Sequence, residues 1–306
     1  MHGSVLVTGA SSQLGVFLLP RLQANGFRVL ALSRHAPPTA FAVSEQVCWQ
    51  NPGTMPGDDA GGEHLSTWPA QQLVSCGPLE LACALIAGNA GLKRVVAFSS
   101  SSVLTKTDSS NRDESRQMLE IREQELRLKK LCFECEISLV LLRPTLIYGC
   151  GLDRNISLLA RFGQRFGFIP LAGKAAGLRQ PVHADDLAAI AVRALTIEKA
   201  KSLESVACGG STLTFREMTE KIAAVCGTGV RARAMPPWLL TLAVQAVSML
   251  PALKAINIEM VRRQGRDMVF DDLPLREALD YQPRSFEPSR EDFEVPEEAR
   301  KLQLPA

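Results

Sequence analysis

Tyrosine is scarce in this 306-residue chain, which has only Tyr148 and Tyr281, and neither sign of charge is in excess. Thirty-four Lys and Arg face 32 Asp and Glu, a formal net charge of +2. Such an even balance gives no electrostatic reason to invoke nucleic acid. No uninterrupted apolar run reaches the roughly 20 residues that a membrane-spanning helix needs. The most apolar later stretch, Trp238 to Ile258, is broken by Pro251 and carries Gln245 and Lys254. It reads either as a core or lobe helix, or as one lying on a membrane surface or a partner. The eight cysteines are scattered, without the dense spacing of a small secreted disulfide scaffold. A strand starting at Ser4 leaves no room for a signal peptide. Both observations favour a cytoplasmic protein.

What is present is an alternation of short apolar runs and helical periodicity. Val5 to Val7 ends at Thr8-Gly9, and Leu14 to Leu22 carries apolar residues at helical spacing until Asn25-Gly26 stops it. Arg28 to Ser33 then reads as a second buried strand, completing a βαβ unit with a right-handed crossover. Between His35 and Gly62 the pattern weakens, with one strand expected near Gln46 to Gln50. It returns as a helix over Pro78 to Ala90, strands over Arg94 to Phe98 and Ile137 to Leu142, and a long charged helix over Asp113 to Cys135. The fold class is therefore α/β, a Rossmann-type doubly wound parallel sheet, over about residues 1–150 with a return to it near 175–210. After Arg143-Pro144, helical segments dominate (Ile156 to Phe166, Asp185 to Glu198, Phe215 to Cys226, Trp238 to Leu250), so a smaller, mainly helical lobe is expected over 151–306.

The first strand-to-helix turn, Thr8-Gly9-Ala10-Ser11-Ser12-Gln13-Leu14-Gly15, stands where backbone amides and a positive helix end can hold a diphosphate. Gly9 permits the tight turn and Gly15 the close packing of helix on sheet. Ser12 stands where a third glycine is usual, and its small side chain can donate to phosphate. At the end of the second strand an NAD-preferring site places a carboxylate, whereas this chain has Ser33-Arg34. A guanidinium there grips a 2′-phosphate and favours NADP(H) over NAD(H), unless Arg34 is simply a solvated loop residue.

The chain resembles the extended short-chain dehydrogenase/reductase family, in particular its nucleotide-sugar epimerase/dehydratase branch, over nearly its full length. The resemblance rests on the turn just described and on four further blocks in order: Val95 to Ser102, Leu142 to Gly149, Gln180 to Leu187 and Cys208 to Thr214. It implies that Arg143 to Gly149 lines the nicotinamide end, that Val182 to Leu187 borders the substrate lobe, and that Thr67, Ser99 and Pro144 join the cofactor contacts. Family members use a serine after the fifth strand together with a Tyr-x-x-x-Lys pair on the next long helix. Ser101 best matches the serine, although it lies in a run of four. The pair is missing: Leu152 follows Tyr148 by four positions and Ser285 follows Tyr281. On the long helix only the register Met118 with Arg122 keeps a cation, and Met118 cannot act as an acid.

Other groups carry two readings each. His183-Ala184-Asp185-Asp186 offers His183 as a cleft-facing catalytic group, or Asp185 as a helix N-cap. Cys132 and Cys135 have metal-like spacing, but no second pair completes a zinc site, so no metal is expected and buried packing is the simpler role. Lys106 either reaches the nicotinamide end or is solvated. The charged face of the long helix reads as solvated, with Glu125 and Lys129 as an i,i+4 pair, or as a subunit contact; monomer and homodimer both remain open. Two functions stand against each other. One is a dinucleotide-dependent oxidoreductase or nucleotide-sugar epimerase-like enzyme with a non-standard active site, acting on a small molecule. The other is an inactive dinucleotide-binding protein serving as redox sensor, scaffold or assembly factor.

Overall fold

The computed structural model describes residues 3–34, 46–51, 69–105, 111–153, 155–197, 202–248 and 258–295. Seven strands form one sheet: β1 (Ser4–Thr8), β2 (Arg28–Leu32), β3 (Val47–Gln50), β4 (Ala70–Ser75), β5 (Arg94–Phe98), β6 (Ser138–Pro144) and β7 (Leu203–Ala207). Their order is β7-β6-β5-β4-β1-β2-β3, and every neighbouring pair is parallel. A parallel sheet must be covered on both faces, which is why its strands are near-continuous apolar runs. Val5, Val7, Val29, Ala31, Val96 and Val140 face α1 (Gln13–Ala24) and a later helix, Ala184–Thr196. The alternate residues Leu6, Leu30, Leu73, Val95 and Leu139 face α2 (Leu79–Gly88) and α3 (Arg112–Glu134). Each fully buried Leu or Val adds about 1.5–3 kcal/mol to this core.

The remaining helices are α4 (Ile156–Phe166), α5 (Ala184–Thr196), α6 (Phe215–Cys226), α7 (Pro237–Ser248), α8 (Ile258–Arg263) and α9 (Leu273–Leu279). Of these, α5 and the strand β7 after it belong to the sheet layer, while α4 and α6 pack with Tyr148, Phe286 and Phe293 in a separate apolar cluster. That lobe is not purely helical. Phe168–Ala172 and Arg231–Met235 pair as parallel strands, one of three two-stranded ladders among the described residues. Periodicity gives no sign of β4, because Gln71 and Gln72 interrupt its apolar run; the Gln72 side-chain nitrogen donates to the Leu195 carbonyl at 3.3 Å.

α3 starts at Arg112 because Asn111 caps it, accepting from the amides of Asp113 and Glu114 at 3.0 and 3.3 Å. The expected surface pair Glu125–Lys129 does not form. Glu125 is only 2% exposed and takes a bidentate contact from Arg143 at the end of β6, while Lys129 pairs with Glu204 of β7 at 2.9 Å. Arg143 also reaches Glu204, at 2.6 Å. The reason is geometric: the planar guanidinium at the strand end offers a better partner than a mobile ammonium one turn away. Cys132 packs in the core, but Cys135 is exposed, so the two do not form a joint buried site.

Candidate functional site

The sheet changes direction at β1, which has β4 on one side and β2 on the other. A crevice opens at the carboxyl ends of strands at such a point, and ligands bind there. Thr8 and Ser75 lie in register across β1 and β4, and their hydroxyls bond at 3.1 Å. Gly9 follows with φ +65°, and a Cβ on it would lie 2.6 Å from the Cys76 carbonyl group. Gly15 is equally constrained, since a Cβ there would lie 2.1 Å from the Ala10 oxygen. Only glycine fits either position, and the turn is therefore tight enough to aim its amides outward.

Ser12 is the N-cap of α1, its hydroxyl accepting from the Gly15 amide at 3.2 Å. Ser11 bonds Ser33 at the tip of β2 at 2.7 Å, tying the turn to the strand that carries exposed Arg34. Leu14 is buried against the sheet. Two polar atoms are buried here without a protein partner: the Gln13 side-chain nitrogen, in the first turn of α1, and the Ser99 hydroxyl, just past β5. Orphaned buried polar atoms are rare, and at the strand-end crevice they fit a polar ligand. The turn, the helix end and these atoms suit a nicotinamide dinucleotide. Thr67 and Lys106 lie outside the described residues, and Pro144 ends β6 next to Thr145.

Beyond β5 and β6 a cavity of about 190 Å³ lies between the strand ends and the lobe. Ser100, Ser101 and Ser102 form one wall with Thr145, and Met260 and Phe270 belong to the lobe side. Ser101 opens a short 3-10 turn capped by the Ser100 hydroxyl, which accepts from the Ser102 amide at 3.2 Å. The cations in the wall are already engaged. Arg179 donates to the carbonyls of Leu178 and Arg266 at 2.7 Å and to that of Arg263, and burial pulls its pKa down to about 10. Arg263 pairs with Glu114 of α3. These lobe residues follow no periodic signal in the sequence; their place is set by contacts between segments more than 80 residues apart.

His183 does not line this cavity. It is 6% exposed and is itself the N-cap of α5: Nδ1 accepts from the Asp185 amide at 3.0 Å, and Nε2 lies 3.0 Å from Asp292. Asp185, expected as the cap, instead sits in the first turn of α5. It takes Arg21 of α1 at 2.6 Å and Arg284 at 2.7 Å. Burial opposes its ionisation, but these two guanidiniums outweigh it and hold the carboxyl below its usual range. The block from Val182 to Leu187 is thus a clamp joining α1, α5 and the C-terminal segment. Arg143 likewise points to α3 and β7 and is absent from the cavity wall, where Thr145 and Leu146 of the same block are found.

Neither tyrosine reaches the cavity. Tyr148 is 1% exposed and packs edge-on against His183 and Phe286, and burial raises its pKa well above the ordinary value. Tyr281 donates to the Cys208 carbonyl at 2.9 Å and is shifted up for the same reason. On α3, Met118 is buried and Arg122 exposed, so that register puts no acid or base beside the serines.

No family model and no curated protein matches the sequence. Solved structures do. UDP-glucuronic acid 4-epimerase from Bacillus cereus in complex with NAD gives a TM-score of 0.70 at 14% identity, over 98% of this chain and 96% of that one. UDP-N-acetylglucosamine 4-epimerase from Bacillus cereus gives 0.66 at 14%, over 95% of each chain. MoeE5 in complex with UDP-glucuronic acid and NAD gives 0.64 at 20%, over 98% and 99%. The likeness spans both the sheet and the lobe, so this chain has the same fold as these epimerase structures.

Proposed function

We propose that this chain is a nicotinamide-dinucleotide-dependent enzyme of the extended short-chain dehydrogenase/reductase type, acting on an alcohol or carbonyl carbon without a catalytic tyrosine. The observation that carries it is the turn after β1, where Gly9 and Gly15 admit no side chain and the Gln13 side-chain nitrogen is buried without a partner. Bound there, the dinucleotide supplies or accepts hydride. The chain's own part is to hold its phosphates with the turn amides and Ser12, and to place a substrate oxygen against Ser101. A hydroxyl cannot replace a tyrosinate as a titrating base, so Ser101 orients that oxygen and relays a proton between it and solvent: to the oxygen when hydride is added to the carbonyl carbon, and away from it when hydride leaves the alcohol carbon.

The finer reading of the cofactor is NADP(H). Ser33 and Arg34 stand at the tip of β2 without a carboxylate between them to repel a 2′-phosphate. Two of the three structural neighbours named above were solved with NAD, which makes the cofactor choice a direct test. The substrate is a small molecule. Nucleotide-sugars are one class, by analogy with those neighbours, and compact carbonyl compounds are the other. The inactive reading rests on one fact, that both tyrosines are locked in the framework.

Titration calorimetry separates the proposals. NADPH is expected to bind at least about tenfold more tightly than NADH, and Arg34→Ala to remove most of that difference, a change of about 1.4 kcal/mol or more. Equal losses for both cofactors would reject the NADP assignment. With NADPH bound, turnover on a carbonyl and nucleotide-sugar panel is expected to drop about 10²-fold or more in Ser101→Ala. Binding without any turnover would leave the sensor or scaffold reading as the better one.

A further inference from the structure

Helix α7 carries large apolar side chains on the side that faces the protein and on the side that does not. Leu240 and Val244, one turn apart, form the inward ridge and pack with Val261, Met235, Ala172 and Ile258. Trp238 and Leu242 are also one turn apart, and at 3.6 residues per turn they fall on the opposite side of the helix. They are 65% and 54% exposed, and Leu239 on the flank is 43% exposed. The helix carries no charged residue. Thr241 and Gln245 interrupt its surface, but Trp238, Leu239 and Leu242 still make an exposed apolar patch that no described residue covers, and such patches mark interaction sites.

Its charge surroundings identify the cover. Between Glu220 and Glu259 the chain has no acidic residue and four cations; Lys221 is paired with Glu287 at 2.6 Å, which leaves Arg231 and Arg233 as the remaining described cations of this stretch. Arg231 and Arg233 lie two apart on the strand leading directly into α7, so they share one face of it, and both are exposed. Among the described residues neither is paired with a carboxylate; Arg233 stands 5.7 Å from the Phe168 ring. A tryptophan with aliphatic neighbours, flanked by these arginines and no acid, matches the boundary between acyl chains and anionic headgroups. The face is convex, the outer side of a helix rather than a groove, which suits a fluid surface better than a peptide. No described helix is long and apolar enough to cross a membrane.

We infer that the Trp238–Leu239–Leu242 face of α7, with Arg231 and Arg233, docks the protein on an anionic lipid surface without spanning it. The consequence is local: α8, which packs against α7, also supplies Met260 and Arg263 to the cavity wall. Docking would therefore hold the cavity beside the bilayer. The inference does not depend on which reaction the cavity performs, or on whether it performs one.

The test is co-sedimentation of the full chain with vesicles of phosphatidylglycerol and phosphatidylcholine, against vesicles of phosphatidylcholine alone. The chain is expected to pellet with the anionic vesicles, less so as salt rises, and with a blue shift of tryptophan emission. Trp238→Ala and the pair Arg231→Glu with Arg233→Glu are each expected to weaken binding by about tenfold or more, whereas Trp238→Phe retains it. Because these side chains are exposed, the variants are expected to melt as the parent does, which separates lost docking from lost folding. Failure to pellet with either vesicle overturns the inference, as does binding that Trp238→Ala leaves intact. A dimer that dissociates in Trp238→Glu, with no vesicle binding, also overturns it in favour of a second copy of the chain.

Discussion

Glu125→Ala is expected to destabilise the protein by about 3–5 kcal/mol, because it strands most of a buried guanidinium. Arg143 and Glu125 side chains are 9% and 2% exposed, and the pair is bidentate. After the substitution Arg143 keeps only Glu204, whose own side chain is 41% exposed and shared with Lys129. At about 2–4 °C per kcal/mol for a domain of this general size, the melting temperature should fall by roughly 6–20 °C. The cause can be checked with Glu125→Leu and Arg143→Met together, which remove both charges and are expected to recover most of the loss. If Glu125→Ala melts within about 1 °C of the parent, the triad contributes nothing and the account of α3 docking fails. The triad matters for the site because Arg143 leads into Pro144, Thr145 and Leu146, and the last two line the cavity.

Gly15→Ala is expected to abolish dinucleotide binding and to cost about 3 kcal/mol or more of stability. Its new methyl would lie 2.1 Å from the Ala10 carbonyl oxygen, which belongs to the turn itself. The start of α1 would have to move away from the sheet, taking Ser12 and Gln13 with it. Gly88→Ala is the control. Gly88 ends α2, is exposed, and a Cβ there meets nothing within 4 Å. Alanine is the better helix former, so that variant should melt at or slightly above the parent temperature and bind the cofactor normally. Calorimetry on both proteins reads the contrast, and undiminished binding in Gly15→Ala would remove the turn from the site.

Much of the secondary structure, in the sheet layer and in the lobe, is legible in the order of the residues. Arg94 to Phe98 and Ile156 to Phe166 are bounded as the periodicity places them, since apolar runs and helical spacing there meet no competing interaction. Local pattern misleads where a polar residue finds a distant partner. Gln72 bonds Leu195 inside a strand, Glu125 turns inward to Arg143, and His183 rather than Asp185 caps α5 because Arg21 and Arg284 claim the aspartate. In each case the local pattern is correct about the residue's chemistry and silent about its partner.

The sequence by itself determined the α/β alternation, the glycine turn, the guanidinium at the tip of β2, and the absence of any Tyr-x-x-x-Lys pair, because these depend on residue type and short spacing alone. Only the tertiary structure decided that both tyrosines are locked in the framework and that His183 is a cap. It alone brought Ser101 opposite Met260 and Phe270, and left Trp238, Leu239 and Leu242 of α7 uncovered by any described residue. Those outcomes rest on packing between segments far apart in the chain, and no local periodicity encodes which distant surface a side chain will meet.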